Sequence, residues 1–471
     1  MSIRSLPGGA AATDDLDGLR RRRSARRAVA ATALRVVFWL TVAMTFVLFG
    51  IWGGPTRLTV GTALTSAGTM AGLIGTDLVL VMVFLAARVP LVDRIIGHDV
   101  ALAYHRKLGE PALYLILAHF ALLTVGRATE NGRNVAAETM ALIGGPDDTG
   151  LAYLGLATFI VVVVTSAVKA IRRWFTHEVW FAVHVLSYLG IVLALPHQSM
   201  DDAVLDPQSN RYVYWLALYA IAFGAMLVFR VIVPVARSAR HNIRVTSVER
   251  IAPDVVSIHL SGRRLDRLRA AGGQYAIWRF WSFATWFHGH PISLSAVPTA
   301  TTARITVRAL GRGSARISRV RPGSRVGFAG PFGIFTDATR SRPRLAVVAA
   351  GVGITPVRAL LEDSPLRPGE ATIVLRGSSD ADRYLWDEVG SLAGSSASRV
   401  VLMSGPRPPG VDTWLSADAV RRGLTIGELF PDLLESDLYV CGPPAWADAV
   451  VRDARAAGLP AARIHLERFD W

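Results

Sequence analysis

A chain of 471 residues with 51% hydrophobic and 18% charged residues is too long for one ordinary domain and too apolar to be mainly disordered. Its mean hydropathy of +0.36 is that of a protein partly in lipid. The single cysteine, Cys441, excludes a disulfide framework, a cysteine-built zinc site, c-type haem attachment and a cysteine-ligated iron–sulfur cluster. A net charge of +15 suits either nucleic acid or the cytoplasmic ends of membrane helices, so the positions of the basic residues decide.

Residues 1–31 are polar and end in Arg20, Arg21, Arg22, Arg23, Arg26 and Arg27. They read as a disordered basic cytoplasmic tail before a retained first membrane helix, because the apolar run that follows is long and lacks a clear cleavage site. Six stretches can cross a bilayer: Ala33 to Trp52, Ala67 to Val89, Leu108 to Val125, Leu151 to Ile171, His177 to Leu195 and Tyr212 to Val235. Arg88, Arg94, Arg106, Lys107, Lys169, Arg172, Arg173, Arg237 and Arg240 fall on one side, against Arg57, Arg127, Arg133 and Arg211 on the other. The positive-inside rule then predicts a six-span integral plasma-membrane protein with both termini in the cytoplasm. Much of the charge marks orientation, and no nucleic acid partner is expected.

After His241 the pattern changes to short alternating segments, Asn242 to Glu249, Val255 to Leu260, Gln274 to Phe280, Pro291 to Val297, Arg304 to Leu310 and Arg325 to Ala329, which predict a small antiparallel barrel. Beyond Arg342, compact apolar strands at Arg344 to Ala350, Ala371 to Arg376, Arg399 to Met403 and Asp437 to Cys441 alternate with helical segments such as Thr355 to Glu362 and Trp446 to Ala457. That alternation predicts a parallel α/β sheet. The expected fold is a multidomain membrane protein: a tail (1–31), a six-helix transmembrane bundle (32–237), an antiparallel Greek-key β-barrel (238–340) and a Rossmann-like α/β domain (341–471).

Four histidines lie within the spans, where ligating side chains are functional candidates because burying them alone is costly. Thirteen residues separate His105 from His119 in the third span, and twelve separate His184 from His197 in the fifth. At 1.5 Å per residue these are about 21 Å and about 20 Å along the axis. Both spans run outward, so His105 pairs with His184 near the inner face and His119 with His197 near the outer. One imidazole on each face at two levels is what two stacked low-spin haems require, and Arg106 and Lys107 would sit at the inner propionates. The alternative is that each histidine hydrogen-bonds a carbonyl between helices. In an ideal helix the fifth-span interval also leaves its two histidines about 140° out of phase, a mismatch that Pro196 would relieve by distorting the last turn.

These spacings within six spans resemble the ferric reductase transmembrane domain shared by ferric-chelate reductases and NADPH oxidases. The resemblance covers about residues 33 to 235 and implies two b-type haems, with His105, His119, His184 and His197 as iron ligands.

The second half carries matching motifs. His290-Pro291-Ile292-Ser293-Leu294-Ser295, after Gly273-Gln274-Tyr275, resembles the His-Pro-x-Ser/Thr flavin motif of the ferredoxin-NADP reductase superfamily. It implies FAD held by His290, Pro291, Ile292, Ser293 and Leu294, with the Ser293 hydroxyl near flavin N5. Gly311-Arg312-Gly313-Ser314 precedes a short helix whose positive end suits a pyrophosphate. Its place matches the superfamily's FAD diphosphate helix and assigns Gly313 and Ser314 to FAD. Gly351-Val352-Gly353-Ile354-Thr355-Pro356 follows a strand and opens a helix, a turn that admits a phosphate; it resembles the superfamily's nicotinamide-nucleotide site, to which Gly351, Gly353, Thr355 and Pro356 belong. Cys441-Gly442-Pro443-Pro444 resembles the turn beside the nicotinamide. The ending Ile464 to Trp471 resembles the family's C-terminus, with Glu467 near the reacting atoms and Trp471 stacked on the flavin. Arg376, at the end of the second strand, is placed for a 2'-phosphate and favours NADPH over NADH.

The resemblance implies electrons passing from NAD(P)H through FAD and two b-type haems to an extracytoplasmic acceptor: a ferric chelate or related metal, oxygen or a quinone. Ser293, Cys441, Glu467 and Trp471 would lie at the reacting centre. An oxidase making superoxide or hydrogen peroxide is the alternative within the superfamily, and a haem-bearing sensor or assembly partner without turnover is the alternative of another class.

Overall fold

The computed structural model describes residues 9–51, 58–145, 149–199, 206–208, 211–281 and 289–468. Its chain forms two compact units: residues 31–92 with 98–230, and residues 1–30 with 93–97 and 231–471.

The helices in chain order up to His241 are α1 (Gly9–Ile51), α2 (Val60–Ala86), α3 (Pro90–Ile96), α4 (His98–Glu130), α5 (Val135–Gly144), α6 (Thr149–Ala167), α7 (Lys169–Arg172), α8 (His177–Gln198), α9 (Tyr212–Leu227) and α10 (Val233–His241). Six helical stretches among the described residues are long and apolar enough to cross a membrane: Gly18–Ile51, Val60–Ala86, His98–Glu130, Thr149–Ala167, Glu178–Gln198 and Tyr212–His241. Much of their apolar surface faces outward, including Trp39, Leu40, Tyr114, Leu154, Val192 and Val213, as lipid-facing helices require. Inside the bundle, Leu73, Val79, Leu80 and Val83 of α2 pack with Ala112, Ile191, Trp215 and Ala222. Glycines permit the closest approaches. A Cβ at Gly68 would stand 2.9 Å from the amide nitrogen of Leu123, and one at Gly155 would stand 2.8 Å from the carbonyl oxygen of Gly190. Small residues thus set two tight helix pairs, α2 with α4 and α6 with α8.

The reading of residues 1–31 as a disordered tail is corrected from Gly9 onward, where α1 runs unbroken into the first span. The segment is rich in alanine, leucine and arginine, all strong helix formers. It also has a tertiary anchor: Arg27 Nε donates to the Ile95 carbonyl at 2.7 Å, and Arg20 is buried. The sixth apolar stretch is not one regular helix. Between α9 and α10 the turn Val228–Ile232 is a π-helix, followed by Pro234 in the first turn of α10, where a missing amide is tolerated.

In the second unit, β1 (Ile243–Ala252), β2 (Val255–Ser261), β3 (Tyr275–Phe280), β4 (His290–Ser293), β5 (Thr302–Arg308) and β6 (Arg325–Phe332) form an antiparallel sheet in the order β4-β3-β6-β1-β2-β5. A bridge between Leu294 and Ile305 joins its two edges and closes a barrel around Ile258, Trp278, Phe280 and Ile305. Helix α10 is fastened to this barrel: Arg237 Nη1 donates to the Gly330 carbonyl at 2.7 Å, and the Phe328 amide donates to Ser238 Oγ at 3.0 Å. The short α11 (Arg312–Ile317) follows β5.

Strands β7 (Arg344–Ala350), β8 (Ala371–Gly377), β9 (Arg399–Ser404), β10 (Ser436–Gly442) and β11 (Ile464–Arg468) form a parallel sheet in the order β11-β10-β7-β8-β9. Helices α12 (Ile354–Asp363), α13 (Trp386–Ser395), α14 (Ala417–Arg421), α15 (Ile426–Leu429) and α16 (Pro444–Ala456) accompany it, and apolar clusters fill both faces, as a parallel sheet demands. Ion pairs join barrel and sheet domain. Arg304 of β5 grips Glu388 of α13 with two bonds of 2.9 and 2.7 Å, and Arg308 reaches Asp254 at 2.7 Å and Asp382 at 3.1 Å. The multidomain architecture read from the sequence is the one observed, with β11 as an unread fifth parallel strand.

Candidate functional site

The four intramembrane histidines meet in two pairs. The ring centres of His105 and His184 are 6.0 Å apart, and those of His119 and His197 are 6.5 Å apart. A metal bound by one nitrogen of each ring at about 2 Å would separate the ring centres by about 6 Å.

Hydrogen bonds settle which nitrogen is free. His105 Nδ1 lies 3.0 Å from the Met82 carbonyl and His119 Nδ1 lies 2.8 Å from that of Gly68. A carbonyl only accepts, so both Nδ1 atoms carry the proton and both Nε2 atoms keep their lone pairs. His184 Nδ1 lies 3.3 Å from Ser166 Oγ. Ser166 donates to the Val162 carbonyl at 2.7 Å and accepts from Trp180 Nε1 at 3.2 Å. Its one proton is used, so His184 also donates from Nδ1. His197 lies near the Ala194 carbonyl, with its Nδ1 outside hydrogen-bond geometry. Three of the four rings are therefore oriented by a fixed acceptor, the usual support of a ligating imidazole. The alternative, in which each histidine only binds a carbonyl, leaves those Nε2 lone pairs without a role.

Both pairs close despite the phase mismatch. Pro196 lies inside the last turn of α8, and the Ser199 amide donates to the Pro196 carbonyl at 3.0 Å, a bond three residues back that tightens this turn. Helix α2 shapes the outer level: a Cβ at Gly72 would collide with the His119 imidazole. At the inner level Trp180 stacks on His184 with ring centres 5.2 Å apart, and Arg172 covers Trp180 at 4.5 Å. Arg106 and Arg230 stand within electrostatic reach of His105. Arg230 is a residue the sequence reading missed, although a charge inside the sixth apolar run was a visible signal.

In the barrel, β4 pairs with β3 so that Ser293 lies opposite Tyr275 and His290 opposite Trp278. Trp278 Nε1 donates to the Ile292 carbonyl at 2.9 Å and fixes the strand. Ser293 is buried, and among the described residues its Oγ has no hydrogen-bond partner. A buried hydroxyl without a partner is costly unless a ligand supplies one. Leu294 is buried in the barrel core, while Pro291 and Ile292 are half-buried. Gly313 approaches the His290 ring, where a Cβ would stand 3.0 Å from Cε1. The two stretches assigned to FAD therefore touch. Ser314 Oγ accepts from the Leu310 and Gly311 amides at 3.0 Å each, so it orders the turn that starts α11.

In the α/β domain, Gly351 takes φ +54°, and the turn passes through Gly353 into α12. A Cβ at Gly353 would collide with the Cys441 carbonyl, which brings the two predicted nicotinamide segments into backbone contact. Thr355 Oγ1 donates to the Val352 carbonyl at 2.9 Å, and Pro356 is buried in the first turn of the helix. Gly442 ends β10, Pro443 caps α16 and Pro444 begins it, with both prolines exposed. Cys441 is fully buried; burial, and then the charge on Glu467, push its thiol well above the ordinary value.

Glu467 of β11 lies in register with Cys441, and its Oε2 is 3.9 Å from where a Cβ of Gly333 would be. The same position is 3.2 Å from the Tyr275 ring. A continuous line thus runs from Ser293 through Tyr275 and Gly333 to Glu467 and Cys441, across the barrel and the sheet. Arg308 Nη1 and Tyr384 Oη each come within 3.7 Å of a Cβ built at Gly351; of the two, Tyr384 was missed in the sequence. Burial would raise the Asp382 carboxyl, but the Ser378 hydroxyl and the Arg308 guanidinium outweigh it and hold it below its usual range. Arg376 is buried at the end of β8 and donates to the Gly377 carbonyl. Burial, and then the nearby charge of Arg407, lower its pKa. Trp471 lies outside the described residues.

Residues 71–195 match the family described as the ferric reductase like transmembrane component. The second half is similar to ferredoxin–NADP reductase B of Sorangium cellulosum, 30% identical over 174 residues that cover 34% of this chain and 68% of that protein. It is also similar to the flavohemoprotein of Vibrio cholerae, 28% identical over 189 residues, or 38% of this chain; the match spans less than half of that protein, 45% of its length. Among solved structures, the flavohem-like FAD/NAD binding domain of nitric oxide dioxygenase from Vibrio cholerae O1 biovar El Tor aligns with a TM-score of 0.40 at 22% identity, over 49% of this chain and 98% of that one. The chain therefore belongs to the ferredoxin–NADP reductase family through its second half, joined to a ferric reductase-like membrane domain in the manner of the ferric reductase and NADPH oxidase-like fusions.

Proposed function

We propose that this chain is a transmembrane oxidoreductase that moves electrons from cytoplasmic NAD(P)H, through FAD and two b-type haems, to an acceptor on the outer face of the plasma membrane, with a ferric chelate or related metal as that acceptor. The observation that carries the reading is the two-level pairing of imidazoles, three of them with Nδ1 donating and Nε2 free, in a chain that also holds the Ser293 to Cys441 line. His105 and His184 would hold the inner haem, and His119 and His197 the outer one. FAD, when bound, takes a hydride from the nicotinamide and passes its electrons on one at a time, as a haem requires.

The chain's own residues prepare each transfer. His290, Pro291, Ile292 and Leu294 frame the flavin, and the Ser293 hydroxyl has a proton to offer at its edge. Gly313 and the loop ordered by Ser314 take the diphosphate. Gly351, Gly353, Thr355, Pro356, Gly442, Pro443 and Pro444 form the nicotinamide-nucleotide cleft. Cys441 and Glu467 border the reacting carbon: the buried protonated thiol excludes water, and the carboxylate favours a developing positive charge on the nicotinamide. Trp471 would cover the flavin until coenzyme enters. Arg376 and its neighbour Arg407 favour NADPH through the 2'-phosphate.

Purified protein in lipid vesicles tests the route. Under argon, NADPH added to the nucleotide-binding side should drive reduction of ferric citrate on the other side, and His119→Leu should abolish that transfer while flavin reduction continues. Unchanged transfer in His119→Leu contradicts the assignment. Reoxidation by oxygen but not by ferric citrate would make the enzyme an oxidase.

A further inference from the structure

A carboxyl group lies inside the membrane bundle without a part in the electron route. Asp77 lies within α2, is 0% exposed, and has one oxygen, Oδ1, with no hydrogen-bond partner among the described residues. Its other oxygen faces α1: Thr41 Oγ1 is 3.0 Å from Asp77 Oδ2. The same Thr41 Oγ1 is 2.8 Å from the Phe38 carbonyl. Tyr214 of α9 donates to the Thr41 carbonyl at 3.2 Å and so holds the third helix at the same point.

Proton counting allows two states of this cluster. A threonine hydroxyl has one proton, and a backbone carbonyl can only accept. If Thr41 donates to Phe38, the contact with Asp77 is a hydrogen bond only when Asp77 supplies the proton. An ionised Asp77 would instead take the Thr41 proton, leave the Phe38 contact unbonded, and stand as a charge in an apolar bundle with Oδ1 uncompensated, a costly arrangement. Among the described residues no basic side chain is recorded beside it; Tyr214 is the titratable group within electrostatic reach. On α2, Gly72 and Gly75 meet α4, whereas Asp77 meets Thr41 of α1, so the histidine pairs and the carboxyl use different faces of the helix.

We propose that Asp77 is an intramembrane proton-binding site: a carboxylic acid that keeps its proton at neutral pH, donates it to Thr41 Oγ1, and presents Oδ1 to a second proton donor such as water. Loss of the proton breaks the Oδ2–H bond, leaves both electrons on the carboxylate, and turns the Thr41 hydroxyl from Phe38 to Asp77. Release of a proton is thus tied to a hydrogen-bond switch between α1 and α2, with Tyr214 holding α9 to the same threonine. This site stands apart from the electron route and does not depend on it.

Infrared spectroscopy of the full chain in lipid vesicles at pH 7 tests the proposal. The wild type should show a protonated-carboxyl carbonyl band that shifts down in deuterated water and is lost in Asp77→Asn. Thr41→Val, which removes the acceptor, should move the same band to higher frequency, and this arm holds even if Asp77→Asn does not accumulate. A wild-type spectrum with no protonated-carboxyl band sensitive to either substitution would mean that Asp77 is ionised, and would overturn the proposal.

Discussion

Gly353 and Cys441 meet backbone to backbone: the space that a side chain at 353 would need is filled by the carbonyl of Cys441. This contact closes the cleft between the turn after β7 and the turn after β10, and it exists only because residue 353 has no Cβ. Gly353→Ala should lower stability by about 2 kcal/mol, an overpacking cost, and weaken NAD(P)H binding more than FAD binding. Thermal melting followed by flavin fluorescence, together with the coenzyme KM, checks this; an unchanged KM would show that the contact does not shape the cleft.

Gly72 has the same role in the membrane. On the proposed haem assignment, Gly72→Ala should displace the His119 ring from the Gly68 carbonyl and lower the haem content of the purified protein from the proposed two per chain toward one. Haem assay against protein concentration reads this directly. Full occupancy in that variant would separate His119 from iron binding.

Ser293→Ala should leave FAD bound and slow its reduction by NAD(P)H about 100–1,000-fold, the scale of losing one positioned donor. Stopped-flow absorbance under argon measures the rate. Loss of FAD altogether would instead place Ser293 in binding.

The bond between barrel and sheet domain has a pH signature. Burial would raise the Glu388 carboxyl, but Arg304, and then Arg358, outweigh it and hold it below its ordinary 4.5. A carboxyl with a folded value below the unfolded one stabilises above the unfolded value, and that contribution fades as pH falls through the folded one. Glu388→Gln should therefore lower stability at pH 7 by about 1 kcal/mol, discounted for partial exposure, with the difference from wild type shrinking once pH falls below about 4. Melting curves at both pH values test the sign.

Cys441 should resist alkylation at pH 8 in the folded protein and react after unfolding, because burial and the Glu467 charge keep the thiol protonated. Rapid labelling of native protein would show an open, reactive cysteine in place of a packed one.

Much of the fold was legible because its signals are local. The histidine spacings fixed depth, the apolar runs gave the spans, and His290-Pro291-Ile292-Ser293 lies on β4 where its alternation put it. What stayed hidden depends on partners far along the chain. The Met82 and Gly68 carbonyls that orient His105 and His119 are backbone atoms of another helix, invisible as motifs. The arginines before the first span read as a solvated tail, and only the contact of Arg27 with Ile95 shows why that stretch of α1 is anchored. Strand β11 has five residues and follows a short turn, so Ile464 and Leu466 alone could not mark it as the sheet's edge. Asp77 was missed, although an acid inside an apolar run is a visible signal; its partner Thr41 lies 36 positions away on α1.

The most direct test of the account is the absorbance spectrum of the purified full chain before and after NADPH under argon, with haem counted per chain. The account predicts two b-type haems, both bis-histidine and low-spin, that become reduced through bound FAD. A preparation with full FAD occupancy but no haem, or with haem that NADPH and NADH leave oxidised, would contradict it.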